Sequence, residues 1–142
     1  MQTVRQLLER KSGELISVSP DATVFQALQV MAEQDIGAVL VMDMGDVLGI
    51  FSERDYARRI VLQGRTSAGT KVRDIMTSKV VYVSPEQSVG ECMALMTEKH
   101  FRHLPVMESG KVVGMLSIGD LVRATIEEQQ FVIEQLVNYI RA

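Results

Sequence analysis

The chain repeats itself. Slid by 65 positions, Val18–Tyr56 falls on Val83–Leu121 without a gap, and 13 of the 39 aligned pairs are identical. Val18, Ser19, Pro20, Val24, Met31, Glu33, Val41, Met42, Gly45, Val47, Gly49, Ser52 and Asp55 each recur 65 residues later. A period of this size marks one supersecondary unit used twice. Upstream, with a three-residue insertion around Ser12-Gly13, Thr3–Leu8 falls on the stretch ending at Ile75-Met76, with Arg5 opposite Arg73. A single copy of about 60 residues buries too little surface to be stable by itself, so the halves are expected to share a core or interface.

Within a copy the periodicity is regular. Leu15-Ile16-Ser17-Val18 and Val80-Val81-Tyr82-Val83 are β-branched runs stopped by Ser-Pro, because proline cannot continue a ladder, and each predicts a strand. Thr23-x-x-Gln26 and Ser88-x-x-Glu91 fit the capping box and predict helix starts. The apolar stripes that follow, Val24, Ala27, Leu28, Met31 and Val89, Cys92, Met93, Met96, have the spacing of a helix face turned to a core. Two hairpins come next, Ala38–Met42 with Val47–Phe51 and Leu104–Met107 with Val112–Leu116, turning around Gly45-Asp46 and Gly110-Lys111. A second helix follows Ser52, running to about Leu62 and ending at Gly64; its counterpart after Ser117 continues to the C-terminus.

Composition narrows the classes. With 142 residues, 46% of them hydrophobic, the chain can bury a core. No apolar stretch approaches the roughly 18 residues of a membrane span, and the N-terminus lacks the apolar core of a signal peptide, so a cytoplasmic protein is expected. Fifteen basic and 18 acidic residues give a net charge of −3, which offers nucleic acid no broad footprint; any anion site must be local. Cys92 excludes an internal disulfide and reads as an inert buried thiol, and with His100 and His103 it forms no metal-ligand spacing.

The order strand, helix, strand, strand, helix, used twice and ending each time in Gly-apolar-apolar-Ser-x-x-Asp, resembles the cystathionine-beta-synthase (CBS) domain family. Gly49-Ile50-Phe51-Ser52-Glu53-Arg54-Asp55 and Gly114-Met115-Leu116-Ser117-Ile118-Gly119-Asp120 carry the resemblance. Val72-Arg73-Asp74-Ile75-Met76 and His100-Phe101-Arg102-His103-Leu104-Pro105-Val106 support it. The chain is similar to a stand-alone CBS pair, or Bateman module. The resemblance implies an α/β fold in which two CBS repeats, each β-α-β-β-α, pack with pseudo-twofold symmetry. The copies span residues 10–67 and 75–132, with 133–142 as a C-terminal helix extension. It further implies adenine nucleotides of the AMP, ATP or NAD type in clefts between the copies, and association of modules into a homodimer.

Asp55 and Asp120 suit a ribose reader, since one ionised carboxylate can accept hydrogen bonds from both sugar hydroxyls. Ser52 and Ser117, at helix N-termini, can hold a phosphate where backbone N–H groups and the dipole favour an anion. By spacing alone Ser-x-x-Asp is more often a capping pattern, and the repeat context turns it toward a ligand; both roles can coexist. In CBS pairs the aspartate of one copy usually completes a cleft walled by the other. The first cleft would then gather Ser52, Arg54, Asp55, Arg73, Val80, Val81, Phe101, Arg102 and His103. The second would gather Arg5, Ile16, Ile36, Gly37, Ala38, Ser117, Gly119 and Asp120. Arg54 aligns with Gly119, Arg102 with Gly37 and His103 with Ala38, so the first cleft is expected to be the stronger phosphate site and Arg5 the one cation of the second. His103 reads equally as a structural histidine.

No nucleophile with a base, acid pair, metal cluster or phosphate loop is evident, so the expectation is not an enzyme but a ligand-sensing regulatory module. An adenosyl nucleotide would shift the orientation of copies or modules by its difference in affinity for two states, with a protein target of unspecified identity downstream. The alternative is a non-sensing protein-interaction scaffold with vestigial clefts.

Overall fold

The computed structural model describes residues 2–11 and 15–141. The insertion around Ser12-Gly13 and the last residue of the C-terminal extension lie outside the described residues. The chain divides into two compact units, Leu15–Val80 and Met1–Glu14 together with Val81–Ala142. We call them the first-copy and second-copy units. They are cut differently from the repeat copies, because each copy's leading segment packs with the other copy's body.

In the first-copy unit, β1 (Ser17–Val18) pairs parallel with β2 (Ala38–Asp43), which pairs antiparallel with β3 (Asp46–Ser52). In the second-copy unit, β4 (His103–Glu108) and β5 (Lys111–Ser117) form the matching hairpin. Both hairpins turn through two residues in the left-handed region, Met44-Gly45 and Ser109-Gly110, one residue earlier than the sequence suggested. Two consecutive positive φ angles produce the tight turn whose twist matches the strands. Both hairpins carry a bulge at the same repeat position, Val41/Met42 and Val106/Met107.

The predicted first strands are shorter than their apolar runs. Only Ser17–Val18 enters a ladder, and in the second copy a single bridge, Val83 to Val106, replaces it. The Ser-Pro stop confines pairing to the last residues before it, and the unit boundary falls between Val80 and Val81.

Helices α2 (Val24–Gln34) and α4 (Val89–Lys99) begin in the two expected capping boxes, on Thr23–Gln26 and Ser88–Glu91. Both end on a left-handed residue at the same repeat position, Asp35 and His100. Their stripes enter separate cores. Val24, Ala27 and Met31 join Val39, Val41, Phe51 and Ile60; Val89, Cys92 and Met96 join Leu104, Val106, Leu116 and Leu121. Leu28 and Met93 are only partly buried against them. Burial of each large side chain contributes about 1.5–3 kcal/mol before its entropy is charged.

The leading segments complete these cores. Helix α1 (Val4–Arg10) docks Val4 and Leu7 into the second-copy core, with Val4 N–H donating to Gln87 O (2.9 Å) and Val89 N–H to Gln2 O (3.0 Å). The 3₁₀ turn Val72–Asp74 docks Val72 and Ile75 into the first-copy core, with Val24 N–H donating to Thr70 O (2.9 Å) and Val72 N–H to Ala22 O (2.9 Å). Each segment lies on the glycine that opens the signature.

A Cβ built on Gly49 would stand 2.7 Å from the Thr77 carbonyl oxygen, whereas one on Gly114 would meet the end of the Leu8 side chain at 2.7 Å. A leucine tip can swing aside and a paired backbone carbonyl cannot. Gly49→Ala should therefore cost about 2 kcal/mol of unfolding free energy and Gly114→Ala less than about 1 kcal/mol. Urea titrations of the two variants check this, and equal losses would contradict it.

After Ser52 the chain makes one α turn, α3 (Glu53–Asp55), then a π-helical stretch, Tyr56–Val61. Gly64 follows in the left-handed region, as its place at the expected helix end required. After Ser117 a continuous helix, α5 (Ile118–Arg141), runs 24 residues.

Candidate functional site

In the first-copy unit, Ala38 pairs with Ser52, so β3 delivers Ser52 to the helix start beside the beginning of β2. Glu53 N–H donates to Gly37 O at 3.1 Å. The Ser52 hydroxyl accepts from Asp55 N–H (3.2 Å), and Asp55 Oδ2 accepts from Ser52 N–H (2.9 Å) and the Ser52 hydroxyl (3.1 Å). Asp55 Oδ1 accepts from Thr77 Oγ1 (3.1 Å), with Arg59 Nε 4.0 Å away. Asp55 is only 8% exposed, and these bonds occupy three of its four or so lone-pair positions. Arg59 Nη1 also donates to the Ile75 and Met76 carbonyls (2.9 and 3.0 Å), pinning the leading segment. Arg73 is exposed and bonded to Asp21; Arg54 is exposed, and Ile16, Ile36 and Val80 are half-buried.

The second-copy unit builds the same corner with different neighbours. His103 pairs with Ser117, and Ile118 N–H donates to Arg102 O at 2.9 Å. Asp120 Oδ2 accepts from Ser117 N–H (2.8 Å), and Asp120 N–H donates to the Ser117 hydroxyl (3.2 Å). Two cations complete the carboxylate: Lys11 Nζ on Oδ2 (2.9 Å) and Arg123 Nη2 on Oδ1 (2.7 Å). Lys11 Nζ also donates to Met115 O at 2.8 Å. Burial acts to raise the Asp120 carboxyl, but the Ser117 N–H and the Lys11 ammonium outweigh it, and its pKa lies below the usual carboxylate range. An open cleft of about 240 Å³ beside it is lined by Leu7, Arg10, Lys11, Leu116, Asp120, Arg123, Ala124 and Glu127, with Arg10 held to Glu127 at 3.1 Å.

The structure adds surroundings that the sequence did not show. Arg5, the cation assigned to the second cleft, is bonded to Glu86 (2.7 Å) and to Glu108, and the two carboxylates raise its pKa further. His103 is not a phosphate-binding charge at neutral pH. Burial first, then Lys11 and Arg102 against the opposing pull of Asp120, lower its pKa to about 4, so the ring is neutral. Lys11 and Arg123, absent from the predicted set, are the cations on Asp120. The signal for Lys11 lay in the upstream alignment: if Leu8 corresponds to Met76, residues shortly beyond each reach the signature of the opposite copy, Thr77 at Asp55 and Lys11 at Asp120.

Of the remaining predicted residues, Ser52, Arg54, Asp55, Arg73 and Val80 of the first cleft belong to the first-copy unit, and Val81, Phe101, Arg102 and His103 to the second-copy unit. Ile16, Ile36, Gly37 and Ala38 of the second cleft belong to the first-copy unit, and Arg5, Ser117, Gly119 and Asp120 to the second-copy unit. Within its own unit, each Ser-x-x-Asp corner abuts the start of its own hairpin: Gly37-Ala38 for Ser52–Asp55, Arg102-His103 for Ser117–Asp120. Cys92 is buried in the core, and burial, then Glu91, pushes its thiol up to about 11.

The sequence model of the CBS domain matches residues 4–62 and 72–127, which takes in both corners and both leading segments. The chain belongs to the CBS domain family. It carries two CBS repeats in a mixed α/β fold. The CBS domain-containing protein CBSX3, mitochondrial, of Arabidopsis thaliana is 41% identical over 134 residues, covering 91% of this chain and 65% of that protein. The CBS domain-containing protein YhcV of Bacillus subtilis (strain 168) is 32% identical over 108 residues, 76% of each chain. Among solved structures, a protein with CBS domains from Burkholderia ambifaria MC40-6 superposes with a TM-score of 0.87 at 51% identity, covering 90% of this chain and 96% of that one. CBS pairs of this kind are generally regulatory and ligand-binding rather than catalytic. Among the described residues no helix is long and apolar enough to cross a membrane.

Proposed function

We propose that the protein is a ligand-sensing regulatory module that binds adenosyl nucleotides of the AMP, ATP or NAD type in clefts between its two CBS domains. The observation that supports this reading most is the Ser-x-x-Asp corner built twice. Each presents a carboxylate at a helix start, with a serine and backbone N–H groups beside it. That arrangement suits a ribose on the carboxylate and a phosphate beside the helix start, where the dipole favours an anion.

Lys11 and Arg123 add to it a feature the sequence withheld. Both cations rest on Asp120 and are 43% and 69% exposed, so they can turn to phosphate oxygens while the carboxylate takes the sugar hydroxyls. With Arg73 held by Asp21 and His103 neutral, the expected advantage of the Asp55 cleft shrinks. The Asp120 cleft becomes the one suited to a longer phosphate chain.

Isothermal titration of AMP, ATP, NAD and adenosine into the full chain tests the reading. Saturable binding below millimolar concentration is expected, with one phase lost in Asp55→Asn and another in Asp120→Asn. Lys11→Ala should weaken ATP about tenfold and leave adenosine unchanged, since one charge-assisted hydrogen bond is removed. Absence of binding up to millimolar nucleotide would overturn the reading and favour the alternative, a scaffold that works through the exposed apolar face of α5.

A further inference from the structure

Helix α5 leaves the second-copy core after Ala124, its last buried residue, and every side chain from Gln129 to Arg141 is exposed. That outer stretch is too short and too rich in β-branched residues, Val132, Ile133, Val137 and Ile140, to be a stable lone helix in water. It needs a partner. Five of the exposed apolar positions keep a heptad, while Phe131, Val132, Val137 and Tyr139 lie off it. Ile126, Ile133 and Ile140 are seven apart, and Val122, Gln129 and Leu136 interleave with them at spacings of four and three. Leu121, Ala124 and the half-buried Thr125 and Glu128 form the core-facing stripe, one residue and so about 100° round the helix from this seam.

We propose that this seam is a coiled-coil interface with the same helix of a second copy of the chain, parallel and in register. Isoleucine at the first core position with leucine at the other is the combination that favours two parallel strands, and Ile133 with Leu136 supplies it. Of the flanking positions, Arg123, Thr125, Gln130, Val132, Val137 and Tyr139, only Arg123 is charged, and it is held on Asp120 of its own chain at 2.7 Å, so the flanks carry no charge code that selects a different helix. The acids Glu127 and Glu134 lie on the outer positions, and Glu128 is on the core-facing side. Gln129 fixes the direction. In register it meets Gln129 of the other copy, and the two amides can pair, each having donor and acceptor. In antiparallel pairing it would face isoleucine and bury an unmet amide. Val122, Ile126, Val132, Ile133, Leu136, Val137, Tyr139 and Ile140 are 38–81% exposed, and together they offer roughly the 800 Å² per partner of a stable interface. The proposal is independent of nucleotide binding.

Sedimentation of the full chain at micromolar concentration tests it, with a disulfide probe in a Cys92→Ala background. The wild type is expected to sediment as a dimer, and Ile133→Asp to raise the dimer dissociation constant at least about 100-fold, since two buried knobs are lost. Ile133, Leu136 and Asn138 are all exposed in the single chain, so these substitutions leave folding unaffected, and the buried Cys92→Ala change is common to both cysteine probes. Leu136→Cys should cross-link copies under mild oxidation, and Asn138→Cys, on the outer face, should not. A monomeric wild type, an Ile133→Asp dimer of unchanged affinity, or equal cross-linking from the two cysteines would each overturn the proposal.

Discussion

Asp55→Ala is expected to cost about 4 kcal/mol of folding stability, and Asp120→Ala only about 1 kcal/mol, although the two aspartates hold the same repeat position. Asp55 is 8% exposed, and its loss strands three donors, the Ser52 N–H, the Ser52 hydroxyl and the Thr77 hydroxyl, in a corner with little access to water. It also removes the capping box and the acceptor that ties the leading segment to the first-copy unit. At Asp120 two of the stranded partners, Lys11 and Arg123, can turn to solvent, and only the Ser117 N–H loses an internal acceptor. Denaturant midpoints with unchanged m-values would check the difference. Equal destabilisation of the two variants would show that solvent access does not separate the corners. For ligand work the asparagine variants are the right ones, because they keep the shape and one acceptor oxygen.

His103 should make the protein acid-labile well above the carboxylate range. Its pKa is about 4 in the folded chain against 6.5 ordinarily, because burial and the nearby Lys11 and Arg102 charges disfavour the imidazolium more than Asp120 favours it. The unfolded chain therefore binds a proton that the folded chain refuses. Stability is fully present above pH 6.5 and falls as the pH drops toward 4, by about 3 kcal/mol in all. Carboxylates such as Asp120, with a lowered pKa, add their own loss at lower pH. His103→Gln isolates the histidine: its stability should stay flat across the window in which the wild type declines. A parallel decline in both proteins would contradict the assignment.

Much of the fold was legible because the repeat doubled every signal. A capping box or a Gly-turn at one position carries modest weight, but Thr23–Gln26 with Ser88–Glu91, and Gly45 with Gly110, fixed the helix starts and hairpins in both copies. The left-handed residues Asp35, His100, Met44 and Ser109 were not legible, since aspartate and histidine are enriched there without requiring it, methionine and serine give no cue, and only the geometry of the cap and turn demands them. At the sites, Ser52–Asp55 and Ser117–Asp120 were found by spacing. Thr77, Arg59, Lys11 and Arg123 were not, for a specific reason. Thr77 and Lys11 arrive on leading segments packed against the opposite copy, and Arg59 and Arg123 come one helical turn beyond the carboxylate, where a lone arginine looks like a solvated face. Charge state was also beyond spacing: the neutral ring of His103 follows from burial and from Lys11, more than 90 residues away in sequence.

The central claim is that this CBS pair holds adenosyl nucleotides, and native mass spectrometry of the full chain incubated with AMP, ATP or NAD tests it most directly. The account predicts a folded species whose mass exceeds the bare chain, or its dimer, by whole nucleotides, with the increment lost stepwise in Asp55→Asn and Asp120→Asn. A spectrum showing only the bare protein with each of the three nucleotides at millimolar concentration would contradict it.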